Sequence, residues 1–211
     1  MEVDWGWVAR HLGDIGVLLL QHLRLTALAV LIGLVIALPL AALAVRRRRL
    51  TAPILGVAGV LYTIPALAMF FLLIPFTGLS EASAVITLTI YSLVVLVRNA
   101  IAGLAAVQPE VLQAADAMGY RGGRRLLQVE LPLALPAIVA GVRIATVSTV
   151  GLVAISALIG QGGLGKLMLD GFRRDFATPV VIGCALMVAL AIAADLLLVG
   201  LQRLATPWSR T

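Results

Sequence analysis

Apolar residues run through this chain in long blocks rather than in alternation with polar ones. Five blocks approach the ~20 residues a helix needs to cross a ~30 Å hydrocarbon core. They lie near Leu25 to Val45, Ile54 to Phe76, Ser83 to Val97 with an extension past Asn99, Leu133 to Ile159, and Ala177 to Leu201. The predicted fold class is an all-α membrane protein with about five transmembrane helices. Pro39, Pro65, Pro75 and Pro136 fall inside these blocks, so the backbone groups they free must be satisfied by neighbours, and the helices should be kinked and packed together. Residues 1–24 are too polar to span. Trp5, Trp7, Val8, Leu12 and Ile15 predict an amphipathic interfacial helix there, with a short extra span over Ile15 to Leu20 as the alternative.

Composition strengthens the membrane assignment. Of 211 residues, 62% are hydrophobic and 12% charged, too little polar surface to cover a soluble domain of this size. The net charge of +6 would suggest nucleic acid in a soluble protein. Here the basic residues flank apolar blocks, as in loops facing anionic leaflets, and no nucleic-acid partner is expected. Placing Arg46 to Arg49 on the cytoplasmic side also places Arg98, Arg121, Arg124, Arg125, Arg203 and Arg210 there, and leaves Arg10, Arg24, Lys166, Arg173 and Arg174 outside. Basic residues accumulate in short cytoplasmic loops, so the predicted topology is N-terminus out and C-terminus in, with a short cytoplasmic tail at 206–211. The N-terminus lacks a basic start, a short apolar stretch and a small-residue cleavage site, so no removed signal peptide is expected. Cys184 lies alone in an apolar block and is expected to be a packing residue.

The longest polar insertion, residues 108–131, needs a reason, because connections between packed helices are usually short. Pro109 suits a first helical turn; Val111, Leu112, Ala115 and Met118 follow at helical spacing, and Gly119 permits a stop. A second short helix is expected from Gly122 to Val129, turning Leu126, Leu127 and Val129 to one side. Two such helices make a knob, with Ala114 and Ala115 allowing close approach to a partner's groove.

The spacing Gln113-Ala114-Ala115, then Gly119, then Val129, Leu131 and Pro132 resembles the loop of binding-protein-dependent ABC importer permeases. In that family the pattern is Glu-Ala-Ala, three residues, Gly, nine residues, Ile, any residue, Leu-Pro. Gln113 and Val129 depart from it, so a contact needing a carboxylate at the first position must become an amide hydrogen bond or be lost. The resemblance implies a type I importer fold in which residues 25–205 form the permease domain and residues 108–131 carry the coupling helix seated in a nucleotide-binding subunit. Segments around Tyr62-Thr63-Ile64-Pro65 and Arg98-Asn99 resemble the osmoprotectant branch, whose solutes include glycine betaine, choline and carnitine. Methionine, sulfonate and phosphonate permeases share the glycine segment and remain the alternative within the superfamily.

The resemblance further implies two ATPase subunits carrying ATP and Mg, a second permease subunit (a further copy or a paralogue), and an extracytoplasmic substrate-binding protein. The membrane implied is the bacterial or archaeal cytoplasmic (inner) membrane. No cofactor and no metal is expected in this chain, and no catalytic residue. There is no Walker sequence, and His11 and His22 are expected to be interfacial.

Outside the loop, Gly160, Gly162, Gly163 and Gly165 permit tight turns and close backbone approach. They suit an extracytoplasmic re-entrant or gate segment within 160–176. A helix stop followed by an interfacial helix from Lys166 to Phe176 is an equally open and compatible description. Tyr62 and Tyr91 fall in predicted spans; they are candidates to line a pathway, with hydrogen-bonded packing the preferred role. Arg143 and Asp195 each interrupt an apolar block at comparable depth, which motivates an ion pair, with snorkelling to an interface as the alternative. An ATP-independent transporter or channel finds thin support, since there is one buried acid and no evident inverted repeat.

Overall fold

The computed structural model describes residues 3–206, and within them every regular element is helical. A short helix α1 (Trp5–Arg10) precedes α2 (Leu12–Arg46), followed by α3 (Thr51–Thr63), α4 (Ala66–Thr77) and α5 (Glu81–Ala105). Then come α6 (Pro109–Ala117), α7 (Gly122–Arg125), α8 (Leu131–Ile155), α9 (Leu164–Arg173) and α10 (Ala177–Ala205). Four helical stretches are long and apolar enough to cross a membrane, and α3 with α4 makes a fifth as a bent pair. Residues 207–211, including Arg210 of the expected tail, lie outside the described residues.

The core is a three-helix stack of α2, α5 and α8, built on small residues. Along α2 the buried positions include Leu25, Thr26, Ala29, Val30, Gly33, Ala37, Ala41 and Ala44, a stripe that lets backbones approach where hydrophobic driving force between helices is absent. A Cβ at Gly33 would sit 2.6 Å from Ser92 Oγ, and one at Gly141 would sit 2.5 Å from Asn99 Cβ. Leu25, Ala29, Phe70, Leu88 and Val153 form one cluster of the core, and Ala41, Ala100, Leu104, Ala134 and Ile138 form another further along the helices.

Four features differ from the sequence expectation. First, the expected N-terminal interfacial helix ends at Arg10; Leu12 and Ile15 belong to α2, a single helix of 35 residues, about 52 Å long at 1.5 Å per residue. The boundary at residue 24 falls inside it. Arg24 bonds Glu81, the first residue of α5, at 3.0 Å, so the first three turns of α2 project past the end of its neighbour. Second, the block from Ile54 to Phe76 does not form one kinked helix. Pro65 forces Ile64 into extended backbone (φ −66°, ψ 126°) and the two halves meet at 95°. The Tyr91 hydroxyl donates to the Ile64 carbonyl that the break leaves free. Third, the expected second loop helix is not separate: Gly122 to Ile159 is one continuous helical stretch containing a π turn at Leu126–Glu130. Leu127 consequently turns out to 65% exposure while Leu126 packs inward. Fourth, Cys184 is exposed on α10 rather than packed. Among the residues of α10 only Thr178, Pro179 and Gly183 are buried, so one long apolar face lies open along that helix.

Candidate functional site

Because α2, α5, α8 and α10 each traverse the bundle once, the loop after α5 and the Arg46–Arg49 run share one end. Helices α1 and α9 and the glycine segment share the other. At the first end α6 stands off the bundle. It starts on Pro109 after an extended Gln108 and ends where Gly119 takes φ +87°. That left-handed turn lets the Tyr120 amide reach back to the Ala115 carbonyl at 3.0 Å, closing the helix terminus. Gln113, Ala114 and Met118 are exposed, Met118 at 71%, whereas Ala115 is 1% exposed. The expectation that both alanines meet a partner is therefore corrected at Ala115, which packs within its own chain and leaves Ala114 with Gln113 on the outward side.

Arg125 fixes this knob to the bundle. Its Nη1 donates to both Asp116 carboxylate oxygens at 2.8 and 2.7 Å, and its Nε donates to Glu130 Oε1 at 2.9 Å. The hydrogen bonds to Glu130 and then Asp116 hold the guanidinium above its ordinary pKa. Glu130 is buried at 5% exposure, so this contact compensates a carboxylate removed from water. Arg46 adds a second tie from the end of α2, donating to the Gly122 carbonyl at 2.8 Å. Behind α6 lies a cavity of about 780 Å³ bordered by Ala44, Leu104, Leu112, Arg125 and Glu130. Of the motif's later members, Val129 falls in the π turn and is half-buried; Leu131 and Pro132 begin α8, where Leu131 packs against the Ala134–Ile138 cluster.

At the opposite end the glycine segment wedges between α2 and α8. Gly160, Gly162 and Gly163 have φ of +79°, +146° and +49°. A Cβ at Gly163 would lie 2.6 Å from the His22 backbone nitrogen, one at Gly162 2.4 Å from the Ala157 nitrogen, and one at Gly165 2.4 Å from the Ala154 oxygen. His22 is not interfacial, as the sequence suggested, but fully buried, with Nε2 2.9 Å from the Val150 carbonyl. Gln21 Nε2 donates to Gln161 Oε1 at 3.2 Å beside it. After the segment, α9 runs from Leu164 to Arg173, so a sharp turn and a following short amphipathic helix coexist.

Between the two ends of the bundle, Arg143 Nε and Nη2 donate to Asp195 Oδ1 and Oδ2 at 2.8 and 2.9 Å, each side chain being 33% exposed. Tyr91 is buried at 6% exposure, and its ring lies 5.5 Å from that of Tyr62, which is 50% exposed at the α3–α4 bend. Among the described residues no group of three or more His, Cys, Asp or Glu side chains is placed to hold a metal ion.

Asp116, Arg125 and Glu130 escape a reading of the sequence by helical period. In an α-helix, positions five apart diverge in direction, and only the i→i+5 winding of the π turn brings Arg125 over Glu130. The opposite charges in an otherwise amphipathic loop are the one sequence signal that points to them.

The chain is similar to solved structures and to named transport permeases over most of its length. Its fold matches the structure titled "Inward facing conformations of the MetNI methionine ABC transporter" with a TM-score of 0.80 at 23% identity, covering 89% of this chain and 94% of that one. The osmoprotectant import permease protein OsmW of Salmonella typhimurium is 40% identical over 200 residues, 92% of this chain and 93% of the relative. The glycine betaine/carnitine/choline transport system permease protein OpuCD of Bacillus subtilis is 36% identical over 188 residues, 89% of this chain and 82% of the relative. The family model described as "Binding-protein-dependent transport system inner membrane component" matches residues 26–206, and to that family, the permease components of ABC importers, this chain belongs.

Proposed function

We propose that this permease serves an importer of small quaternary-ammonium compatible solutes such as glycine betaine, choline or carnitine. The observation that carries the reading is the 40% identity, across nearly the whole of both chains, to a permease named for osmoprotectant import. Further relatives at 36% identity are named for choline and for glycine betaine, carnitine and choline transport. Family membership implies ATPase subunits, a substrate-binding protein and a second permease. In the arrangement proposed, two permeases face each other across a pseudo-twofold axis above two ATPase subunits that bind ATP and Mg, and the binding protein meets the opposite end. In this reading the α6 end is cytoplasmic and the N-terminus outside, which the basic loops support together with the family's coupling role carried to Gln113, Ala114 and Gly119. ATP-driven closure of the ATPases draws the two knobs together and rocks the bundles from inward-open to outward-open. The glycine segment then acts as an outer gate element, and Tyr62 borders the pathway at the α3–α4 bend.

Uptake by proteoliposomes that hold this chain with its cognate permease, ATPase and binding protein tests the reading. ATP-dependent accumulation of labelled glycine betaine, choline or carnitine is expected. Accumulation of methionine, a sulfonate or a phosphonate in its place would overturn the solute class, and ATP-independent flux would overturn the importer mechanism.

A further inference from the structure

A cavity of about 330 Å³ lies at the end of the bundle away from α6, bordered by α1, the projecting start of α2, α9 and the start of α10. That volume lies within the range of about 300–1,000 Å³ usual for small-molecule sites. Its floor is apolar and packed: Ile15, Leu167, Gly171 and Pro179 are all buried. Its wall is aromatic. Trp7 stacks on His11 with ring centroids 4.2 Å apart, and Phe176 stands nearly perpendicular to Trp7, 5.6 Å away at 83°, so the two rings meet as a corner.

The corner is held in position by α1 itself. Asp4 Oδ1 accepts from the Trp7 amide at 2.8 Å, and the Asp4 amide donates to Thr178 Oγ1 at 3.0 Å, which pins the helix to the start of α10. Trp5 on the same helix points away at 70% exposure while Trp7 turns inward. The cavity rim carries Asp14, Asp170 and Arg174, all exposed, and none of the three makes a side-chain ion pair among the described residues. A quaternary ammonium cannot donate a conventional hydrogen bond and is recognised by aromatic faces and diffuse negative charge. His11 covers one face of Trp7, so Phe176 and the remaining surface of Trp7 supply the aromatic contact, the two carboxylates supply the negative charge, and one guanidinium is left to meet a carboxylate.

We infer that this pocket is a binding site in the permease itself for a small quaternary ammonium, zwitterionic ones included. It takes up solute where the binding protein releases it. The inference rests on the solute class and orientation proposed above, and it adds a recognition step to a chain otherwise assigned only passage and force transmission.

The test is direct ligand binding to the assembled permease–ATPase complex in lipid nanodiscs, without the binding protein. The probes are choline, glycine betaine and 3,3-dimethylbutan-1-ol, the uncharged isostere of choline. Choline is expected to bind more tightly than the isostere, by about fivefold or more, the scale of a cation–π contact at a solvent-accessible site. Phe176→Leu and Trp7→Leu should abolish that preference, and Phe176→Tyr and Trp7→Phe, which keep a ring face, should retain it. Arg174→Gln should weaken glycine betaine and spare choline. Equal binding of choline and its isostere, or an unaltered preference in Phe176→Leu, would overturn the site. So would absence of choline binding by the unaltered complex, even while proteoliposomes import choline, which leaves the solute class standing. Choline bound here with Phe176-dependent preference, but never accumulated, supports the site and counts against the importer reading alone.

Discussion

Arg143 and Asp195 meet through two parallel hydrogen bonds, 2.8 and 2.9 Å long, that fasten the middle of α8 to α10 about two-thirds of the way along it. Arg143 lies twelve residues past Leu131 and Asp195 eight before Arg203, about 18 and 12 Å along their helices at 1.5 Å per residue. Both groups thus sit at membrane depth, where a charge persists only if paired or hydrated. Because α10 buries so little else, the pair is a principal fixed point of that helix.

Asp195→Leu is therefore expected to strand a guanidinium and lower the amount of assembled complex several-fold, the scale on which marginal stability alters abundance in cells. Arg143→Leu should do likewise. The double substitution Arg143→Leu with Asp195→Leu removes both charges and should recover most of the loss, since coupled sites are non-additive. Size-exclusion profiles of the detergent-extracted complex measure this. Additive losses in the double variant would mean that the two residues act separately.

Replacing Arg125 should uncouple rather than unfold. Arg125→Lys keeps the charge but cannot span Asp116 and Glu130 with a planar fork. Binding-protein-stimulated ATP hydrolysis and uptake are expected to fall by roughly tenfold, the equivalent of one lost charge-assisted hydrogen-bond set at this partly exposed position. Basal hydrolysis should persist. The pH dependence has a definite sign. A guanidinium whose pKa is raised on folding contributes fully below its ordinary pKa and is lost only above the raised one. No pH at which cells grow discharges the arginine side of this tie, so coupling lost on alkaline titration below about pH 10 would point to another group.

The long apolar blocks declare the bundle, since hydrophobic length alone identifies a spanning helix, and the Gln113–Gly119 spacing by itself marks the knob. What stays hidden are relations that depend on local departures from regular helix. Pro65 announces a kink, but the 95° break and the Tyr91 hydroxyl that meets the Ile64 carbonyl there join positions no helical period links. Arg125 and Glu130 look mismatched until the π turn aligns them. His22 looks interfacial by its polarity, yet the projecting start of α2 carries it under the glycine segment, where Val150 offers a carbonyl. The Arg143–Asp195 pair is legible because each member is a lone charge deep inside an otherwise uncharged block.

The glycines of the outer segment divide by what surrounds them, and this yields a graded prediction. At Gly160, φ is +79° but nothing lies within 4 Å of the place a methyl group would take, so Gly160→Ala should cost only the left-handed backbone penalty of about 1–2 kcal/mol. At Gly163 the backbone, with φ +49° and ψ −119°, lies outside the left-handed helical region in a conformation open to glycine almost alone, at a cost of about 1–3 kcal/mol, and a Cβ would also collide with the His22 backbone at 2.6 Å, where overpacking adds about 1–3 kcal/mol. Gly165 needs no unusual φ, yet its Cβ would strike the Ala154 carbonyl at 2.4 Å. Thermal unfolding of the purified complex should rank Gly163→Ala as most destabilised, with Gly165→Ala losing stability through contact alone. A Gly160→Ala variant as damaged as Gly163→Ala would show that the segment's conformation, and not its wedging between α2 and α8, is what matters.

Tyr91→Phe isolates the break in the α3–α4 pair. The ring and its contact with Tyr62 remain, and only the donor to the Ile64 carbonyl disappears. An acceptor left without a partner beside buried protein costs about 1–3 kcal/mol, so thermal stability should drop by that amount. Substituting Pro65 as well offers a way back. Pro65→Ala restores an amide and removes the clash that holds Ile64 extended, so α3 and α4 can relax toward a continuous helix that satisfies the carbonyl internally. Stability of the double variant should then recover relative to Tyr91→Phe while uptake stays low, because a straightened helix moves Tyr62 away from the bend. If uptake and stability recover together, the broken geometry contributes to folding alone; if neither recovers, Tyr91 acts through something other than the freed carbonyl.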